Sequence, residues 1–559
     1  MNPETSGSTS DTLATDLESR HEATRTAQEK VESDSVVDWD GPDDPHNPRN
    51  WSSIKRHAHV VFVSLFALYG NLAATMYAPG AAQLVREFGI GSEVLAAFTV
   101  TIYLLGFAIG PLFISPLSEV YGRMVIIHIC NVIFIAFTVG CAVSTSTAMF
   151  FVFRFMAGCA CSAPMTIGGA VIADVTPPEE RGRSMAIWGI GPLLGPVIGP
   201  IIGGFIAQRL SWRWTFWVIS ILASVVLLIG LICMRETNST ILLRRKAEAL
   251  RKETGNLGLF AKADTRASPT QVLRRALARP TRLLLFSPIV TLLSIYSAIV
   301  VGLIYLLFTT FPSVFESQYG FSTETSGLSY LGVGIGMFIG IIAFGVLNDK
   351  VYTRLKGEND GAPEMRLPLM MVVSPFLPVG FFWYGWSAQA QAHWIVPIIG
   401  TSLIGIGSLF VIMPSQIYLV DAFGPESAAS ALAANTIVRV SAGAFLSLAG
   451  PPMYSALGFG WGNSILGFLC LACVPLPFLF YRYVLPCFLS DTRPLVKHSV
   501  ARNFAICSWD LDKNGFSRPQ HPASMAFATD CGSIGCEKSA KLSTEEDRLC
   551  FFISRNSDG

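Results

Sequence analysis

The chain has 559 residues, of which 51% are hydrophobic and only 14% are charged, and its mean hydropathy is +0.48. Soluble domains carry about 25% charged residues, so this composition excludes a soluble globular protein and predicts an all-α integral membrane protein. The formal net charge of +1 gives no reason to expect a nucleic-acid partner.

The chain begins with a polar segment, residues 1–50, which is rich in Ser, Thr, Asp and Glu. Such a composition cannot bury enough apolar surface to fold, so we predict a disordered tail. Its last part, Asp38–Trp51, contains aromatic residues and prolines. These are typical of a short ordered lead-in at the membrane interface.

Twelve apolar segments follow, each long enough to cross a bilayer as a helix. The widest polar gap, residues 235–282, divides them six and six. We therefore predict two six-helix bundles, over residues 51–234 and 283–487, and a disordered tail over residues 488–559. The predicted spans are about His57–Pro79, Glu93–Ser115, Met124–Ser144, Ala148–Ala173, Arg183–Ala207, Trp214–Met234, Leu283–Phe311, Ser326–Leu347, Leu367–Trp386, Trp394–Val420, Ala428–Leu448 and Trp461–Leu485.

Basic residues are concentrated in alternate loops. The odd-numbered loops contain only Arg86, Arg209 and Arg213, whereas the central loop alone contains twelve basic residues. Because cytoplasmic loops are enriched in Lys and Arg, we expect both termini and the central loop to be cytoplasmic. Within that loop, Leu242–Lys252 has the pattern of an amphipathic helix on the membrane surface.

The fifth span repeats Gly-Pro every four residues from Gly191 to Gly204. Residues four apart share one face of a helix, so Gly191, Gly195, Gly199 and Gly203 predict a groove that another helix can approach closely. The prolines remove backbone donors and make the helix pliable. We expect this groove to seal the interface between the bundles; the alternative is a kinked helix with only a packing role.

Two ionisable residues lie inside predicted spans, Arg154 in the fourth and Arg439 in the eleventh. Such residues mark functional sites by default, although Arg154 is near enough to its span end to reach the interface instead. Polar and aromatic residues expected to line a cavity, or else to join helices by hydrogen bonds, are Asn71, Tyr77, Tyr103, Tyr305, Tyr330, Gln416, Tyr418 and Asn435.

The loop after the second span and the loop after the eighth resemble each other. Each places an acid two residues after a leucine, with a basic residue four or five positions later. Such loops can pair acid with base at a cytoplasmic helix end, and the repeat indicates two related bundles. The residues expected to control conformation here are Glu119, Gly122, Arg123, Asp349 and Lys350, with Asp174 closing the fourth span.

The sequence contains no metalloprotease, nucleophile-elbow or nucleotide-binding motif, and its cysteines lack zinc-like spacing. We therefore expect no catalytic residue, no metal and no cofactor.

These motifs together resemble the major facilitator superfamily, and within it the fungal twelve-span drug:proton antiporter group, over about Asp38–Tyr483. The residues at the fifth-span motif positions are Gly195, Gly199, Pro200, Gly203 and Gly204. Arg154 and Gly158 match the fourth-span motif, for which proton coupling is proposed. Met124 departs from the gating loop, because a second basic residue is usual there, and this departure is expected to weaken the loop's charge pairing.

The resemblance implies two bundles that rock about a midplane cavity. It also implies a monomer that exports small organic molecules through the plasma membrane, or alternatively the vacuolar membrane. A facilitator, an importer or a polyamine exporter of the same fold remains open, as does a membrane receptor of transporter origin. No carboxylate lies at mid-span, and buried amines need counter-charges. The expected cargo is therefore a neutral or weakly anionic drug, toxin or secondary metabolite.

Overall fold

The computed structural model describes residues 36–41, 43–177, 180–261, 269–356 and 363–484. Most of the polar segment predicted at the start of the chain, residues 1–35, lies outside the described residues, as does the predicted C-terminal tail.

The described residues are mainly helical. The N-terminal half contains α1 (Ser53–Thr75), α2 (Ala81–Glu87), α3 (Glu93–Tyr121), α4 (Arg123–Ala142), α5 (Thr147–Cys161), α6 (Ala163–Val175), α7 (Arg181–Arg209) and α8 (Trp212–Cys233). The helix starts follow capping chemistry, because the Ser92 and Ser146 hydroxyls accept bonds from the backbone amides of Leu95 and Met149.

The remaining helices begin with α9, which lies in the central loop. They are α9 (Ser239–Thr254), α10 (Pro269–Phe286), α11 (Pro288–Tyr319), α12 (Thr323–Ser326), α13 (Tyr330–Lys356), α14 (Pro368–Val373), α15 (Phe376–Gln389), α16 (Ile395–Leu446), α17 (Gly450–Cys473) and α18 (Pro475–Leu479). Short 3-10 turns lie at Pro48–Asn50, Ala78–Gly80, Gly327–Ser329, Pro363–Arg366 and Ser447–Ala449, and a π turn at Phe480–Val484.

Eleven helical segments in the described residues are long and apolar enough to cross a membrane, one fewer than predicted. The difference arises because Ser430–Arg482 counts as one segment of 53 residues, which covers most of both the eleventh and the twelfth predicted spans. A straight helix of that length would measure about 80 Å, against about 30 Å of hydrocarbon. Gly458, with φ of 72° and ψ of 176°, breaks the helix between the two spans.

The loop expected between the tenth and eleventh spans is also helical, because α16 runs through it over 52 residues. Pro425 lies in this stretch, and its fixed φ is compatible with helical backbone even though it donates no hydrogen bond. The predicted spans are therefore present as helix, but their ends are not all marked by loops.

Each half of the chain has its own large apolar core. One core draws on residues between 62 and 226, with Phe66, Tyr103 and Phe134 fully buried. The other draws on residues between 283 and 480, with Leu307 and Phe311 at its centre. This separation fits two helical bundles that can move as units.

The segment before α1 is ordered at residues 36–41 and 43–50, which includes most of the lead-in expected at Asp38–Trp51, so the predicted disordered tail does not extend to residue 50. Strand β1 (Val36–Val37) pairs in parallel with β2 (Phe260–Ala261), beyond the end of α9. The Asp44 carboxylate accepts bonds from the backbone amides of Asp40 and His46, and these bonds hold its pKa below the ordinary value. Local hydrogen bonding therefore compensates for the low apolar content.

Helix α9 confirms the predicted amphipathic helix but changes the interpretation of its apolar side. Ile241, Leu243 and Ala247 are buried within the protein, so they do not face lipid as expected. On another side of the helix, the Lys246 ammonium lies 2.5 Å from the Asp40 carboxylate and 3.8 Å from that of Asp44. The central loop and the segment before α1 thus hold each other in place.

Candidate functional site

The groove predicted on α7 receives α1, inside the N-terminal bundle. A methyl group at Gly195 would lie 2.6 Å from the Asn71 Cβ, and one at Gly199 would lie 2.7 Å from the Thr75 Oγ1. At Gly203 it would overlap the Met76 carbonyl oxygen. The two helices therefore pack backbone to backbone, as small residues spaced four apart allow.

The contact between the bundles uses the opposite face of α7. A methyl group at Gly204 would lie 2.7 Å from the Thr323 carbonyl oxygen, and one at Gly327 would lie 2.6 Å from the Pro200 carbonyl oxygen. Val197 fills the space beside Gly334. At about 100° per residue, positions 197, 200 and 204 point away from the groove.

The expectation that the glycine groove seals the bundle interface is therefore wrong. The groove seals α1 against α7, while Pro200 and Gly204, together with Val197, form the contact with α12 and α13. The Arg209 Nε lies 3.2 Å from the Glu324 carboxylate at the same end of the interface. One face of α7 thus packs against α1, and the opposite face contacts the other bundle.

A second contact between the bundles joins α3 to α16. Leu104 and Ala108 form a buried apolar cluster with Val440 and Ala444. Tyr305 of α11 packs against this cluster, and its Cδ2 would lie 3.0 Å from a methyl group at Gly443. The interface therefore also brings α11 and α16 close to α3.

Arg154 is enclosed by the N-terminal bundle. Its side chain is 1% exposed, and its two terminal nitrogens donate to the carbonyl oxygens of Ala73 and Ala74, at 2.8 and 3.3 Å. The guanidinium carbon lies 4.7 Å from the centre of the Tyr103 ring. The side chain therefore does not extend to the membrane–water interface, which was the alternative to a functional role. Instead, it bonds to the carboxyl end of α1.

Arg439 has different surroundings. It lies within α16 and is partly exposed, although its Nε is buried and has no hydrogen-bond partner among the described residues. Tyr305 is close enough to interact with its charge. Of the two deep arginines, it is thus Arg439 that reaches the space between the bundles.

The other candidate cavity residues fall into two groups. Asn71 and Tyr305 are partly exposed, and the Asn71 amide donates to the Ala67 carbonyl oxygen at 2.8 Å. Asn435 is buried, with its amide 3.4 Å from the Ser294 hydroxyl, and Tyr418 is also buried. Gln416 is partly exposed.

Three of the tyrosines expected to line a cavity, or else to join helices by hydrogen bonds, take the second role. Tyr77, Tyr103 and Tyr330 are at most 1% exposed. Their hydroxyls bond to Thr99, to the Gly70 carbonyl and to the Phe308 carbonyl, respectively. Burial with a satisfied hydroxyl is the usual state of a core tyrosine, so these rings stabilise the bundles and leave Tyr305 as the accessible one.

The predicted charge cluster at the cytoplasmic ends forms only in part. The Arg123 Nε lies 3.6 Å from the Asp174 carboxylate, and its guanidinium donates to the Ser118 hydroxyl at 2.8 Å. Glu119 is exposed and makes no ion pair with any residue that the structure describes. Glu119 is therefore not part of the cluster.

Glu236 is the acid that lies at the start of α4, beside Arg123. Its carboxylate accepts the backbone amides of Arg123 at 2.8 Å and Met124 at 3.2 Å, which are the first two residues of α4. An acid at a helix start satisfies free amides and favours the helix dipole. Gly122 has φ of 109°, and a methyl group there would overlap this carboxylate.

Sequence reasoning assigned Glu236 no role. The only signal was an acidic residue just after the sixth span, 113 positions from its partner. Met124, which replaces the usual basic residue, is 3% exposed and contributes its backbone amide instead of a charge.

The corresponding loop in the C-terminal half is described less completely. The Asp349 side chain lies outside the described residues, and Lys350 is exposed. Nearby, the Arg366 Nε lies 3.2 Å from the Asp421 carboxylate, and its guanidinium carbon lies 4.0 Å from the Tyr352 ring centre. Each half thus has an arginine–aspartate pair at the predicted cytoplasmic side.

Comparison with known proteins agrees with this architecture. The sequence profile described as "Major Facilitator Superfamily" matches residues 61–447. The MFS transporter prlG from Fungal sp. (strain NRRL 50135) is 59% identical over 455 residues, which cover 81% of this chain and 96% of that protein.

A second relative is the Trichosetin biosynthesis cluster MFS transporter from Gibberella fujikuroi. It is 52% identical over 451 residues, covering 80% of this chain and 88% of that protein. Both relatives are named as transporters, a class of protein distinct from enzymes.

A solved structure of the xylose transporter XylE from E. coli, in a partially occluded inward open conformation, shares the fold. Its TM-score is 0.57 at 19% identity, over 77% of this chain and 98% of that one. With its many apolar helices, the protein is a multi-pass membrane protein. The profile match and the two close relatives lead to one conclusion: the chain belongs to the major facilitator superfamily.

Proposed function

We propose that the protein exports small amphiphilic organic molecules by proton-coupled alternating access. The observation that carries this proposal is the interface between the bundles. Close-packed seams border it on α7 and α3, and Arg439 is exposed to it without a carboxylate partner among the described residues. Such an interface can open on either side while each bundle keeps its own core.

The geometry of α7 supports movement of the bundles as units. Its glycine groove fixes α1, so α1 and α7 move together. Its opposite face touches the other bundle through Val197, Pro200 and Gly204. Separation at this face costs little, because carbonyl and methyl contacts have to be broken but no buried charge is exposed.

Direction and cargo are supported by resemblance and by relatives. The fifth-span motif resembles that of antiporters, which favours export over facilitated uptake. One relative is named for a biosynthesis cluster, which supports a metabolic product as cargo. In the described spans the acids Glu87, Glu93, Asp174 and Glu316 lie near helix ends, so a polyamine would find no counter-charge at mid-depth.

We place the protein in the plasma membrane as a monomer with cytoplasmic termini, in accordance with its basic loops. A vacuolar location would keep the same topology.

The test uses inside-out vesicles from a yeast that lacks its own efflux pumps. Energised vesicles should accumulate a neutral azole and an amphiphilic acid, and a protonophore should abolish the accumulation. A protein with Gly203→Val serves as the inactive control. Uptake that resists the protonophore would indicate a facilitator, and preferential uptake of spermine would indicate a polyamine exporter. If labelled substrate shows no exchange with unlabelled substrate across the vesicle membrane (counterflow), the protein would be a receptor.

A further inference from the structure

Arg439 lies among the helices, and its guanidinium donors have no hydrogen-bond partner among the described residues. A guanidinium has five N–H donors, and the structure gives Arg439 no hydrogen bond or ion pair within the described residues. Its Nε is buried and its side chain is partly exposed, so the remaining donors face accessible space. A desolvated charge of this kind is costly unless an anion approaches it.

The neighbours of Arg439 along α16 show which way it points. Asn435, one turn before it, contacts Ser294 of α11, and Gly443, one turn after it, lies against Tyr305 of the same helix. Residues four apart share a face, so Arg439 points toward α11. The next residue, Val440, is buried against Leu104 and Ala108 of the other bundle, which places Arg439 at the bundle interface.

Tyr305 provides a second donor at the same place. Its ring is partly exposed and lies against Gly443, one turn after Arg439, and its hydroxyl has no hydrogen-bond partner among the residues that the structure describes. The apolar residues Leu105 and Phe107 of α3 pack against the adjoining cluster. The Arg439 guanidinium, the Tyr305 hydroxyl and apolar side chains of α3 therefore lie close together.

We propose that Arg439 and Tyr305 bind the acidic oxygen group of an amphiphilic cargo, a carboxylate or an enolate, while its apolar body lies against α3. Arg439 would donate two parallel hydrogen bonds and Tyr305 one, an arrangement suited to a planar anion. This inference rests on the proposed export function and narrows its cargo to organic acids.

Binding is measured on the full chain in nanodiscs, with empty nanodiscs subtracted. The probes are dansyl-aminoundecanoic acid, which is anionic at neutral pH, and its methyl ester, which is not. Loss of a hydrogen bond to a charged group corresponds to about tenfold to a hundredfold in affinity. Arg439→Gln should weaken binding of the acid by at least about tenfold and leave the ester within about twofold.

Two further variants keep the test decisive if Arg439→Gln fails to fold. Tyr305→Phe should weaken binding of the acid by about tenfold and spare the ester, because the lost hydrogen bond is also made to a charged group. Arg439→Lys keeps the charge but loses the planar guanidinium, so its affinity for the acid should lie between those of wild type and Arg439→Gln. Arg482→Gln, which removes an exposed arginine, is the matched control and should change neither probe.

Equal losses for acid and ester would overturn the proposal, because they would show a structural role. Unchanged binding of the acid in both Arg439→Gln and Tyr305→Phe would also overturn it. The binding measurement needs no proton gradient. A protein that binds the acid through Arg439 but does not transport would therefore contradict the export function and leave this site standing.

Discussion

Two arginines lie deep among the helices, one in each half of the chain, and their environments differ. Arg154 in the N-terminal half is 1% exposed and holds two carbonyl oxygens of α1. Arg439 in the C-terminal half is partly exposed, with its Nε unbonded among the described residues. The same side chain is a structural clamp in one bundle and a free donor in the other.

The difference teaches how a deep charge should be interpreted. A buried cation bonded to the ends of a helix stabilises that helix, since the carboxyl end carries partial negative charge. A cation without partners at an interface is available for a ligand. Sequence position inside a span does not distinguish the two cases; hydrogen bonds and exposure do.

The largest effect is expected from Arg154→Met, which breaks the clamp. The carbonyls of Ala73 and Ala74 would lose their donors, at about 1–3 kcal/mol for each buried group. We expect a marked fall in the thermal unfolding temperature of the detergent-purified protein and loss of transport. Arg439→Gln, measured in parallel, should leave the unfolding temperature nearly unchanged.

Arg154→Lys sharpens this test. A lysine ammonium is a point charge without the planar guanidinium geometry. The unfolding temperature of Arg154→Lys should therefore lie between those of wild type and Arg154→Met. If Arg154→Met unfolds at the wild-type temperature, Arg154 is not a clamp and the contrast with Arg439 disappears.

The next effect concerns the seam that the Arg154 clamp supports. In Gly203→Ala, the new methyl group would overlap the Met76 carbonyl oxygen, just beyond the carbonyls that Arg154 holds. Overpacking of this kind costs about 1–3 kcal/mol. We expect transport to be slower by about fivefold to a hundredfold, by the relation between free energy and rate, in a protein that still reaches the membrane.

The matched control lies on the same helix. A methyl group at Gly189 would meet nothing within 4 Å, so Gly189→Ala should transport normally. Equal activity of the two variants would contradict backbone-to-backbone packing between α1 and α7.

A smaller effect is expected at the cytoplasmic end of the N-terminal bundle. Arg123→Glu would place two acids together where Arg123 now pairs with Asp174. Partly exposed pairs contribute about 1 kcal/mol or less, so transport should fall several-fold and recover in part when Asp174→Arg is added. Initial rates of vesicle uptake measure both changes.

Glu119→Gln is the control for this pair, because Glu119 is exposed, and it should change little. Glu236→Gln should be more harmful, since Glu236 caps α4 through two backbone amides. Failure of Asp174→Arg to restore any transport would exclude direct pairing with Arg123.

The smallest effect, none, is expected from deleting everything after Phe488. This tail lies outside the described residues, and its sequence shows no apolar helical face. Transport and unfolding temperature should match those of the full chain. A truncated protein that inserts but does not transport would show that function extends beyond the two bundles.

The glycine groove shows how far sequence reasoning reached. Its spacing predicts close approach of a helix, and the methyl overlaps at Gly199 and Gly203 confirm that approach. The partner was wrong: the groove was expected to meet the other bundle and instead holds α1. Tyr103 and Tyr330, which were expected to line a cavity or else to join helices, are enclosed in cores.

The sequence by itself determined the helical membrane fold, the division into two groups of spans, the two deep arginines and the smooth face of α7. These follow from composition and from periodicity, which are local properties of the chain. Only the tertiary structure decided that Arg154 bonds to a carbonyl 81 positions away, that Glu236 caps α4 and that Glu119 stays outside the charge cluster. It alone left Arg439 unbonded, because the partners of a side chain depend on which distant segments the fold brings together.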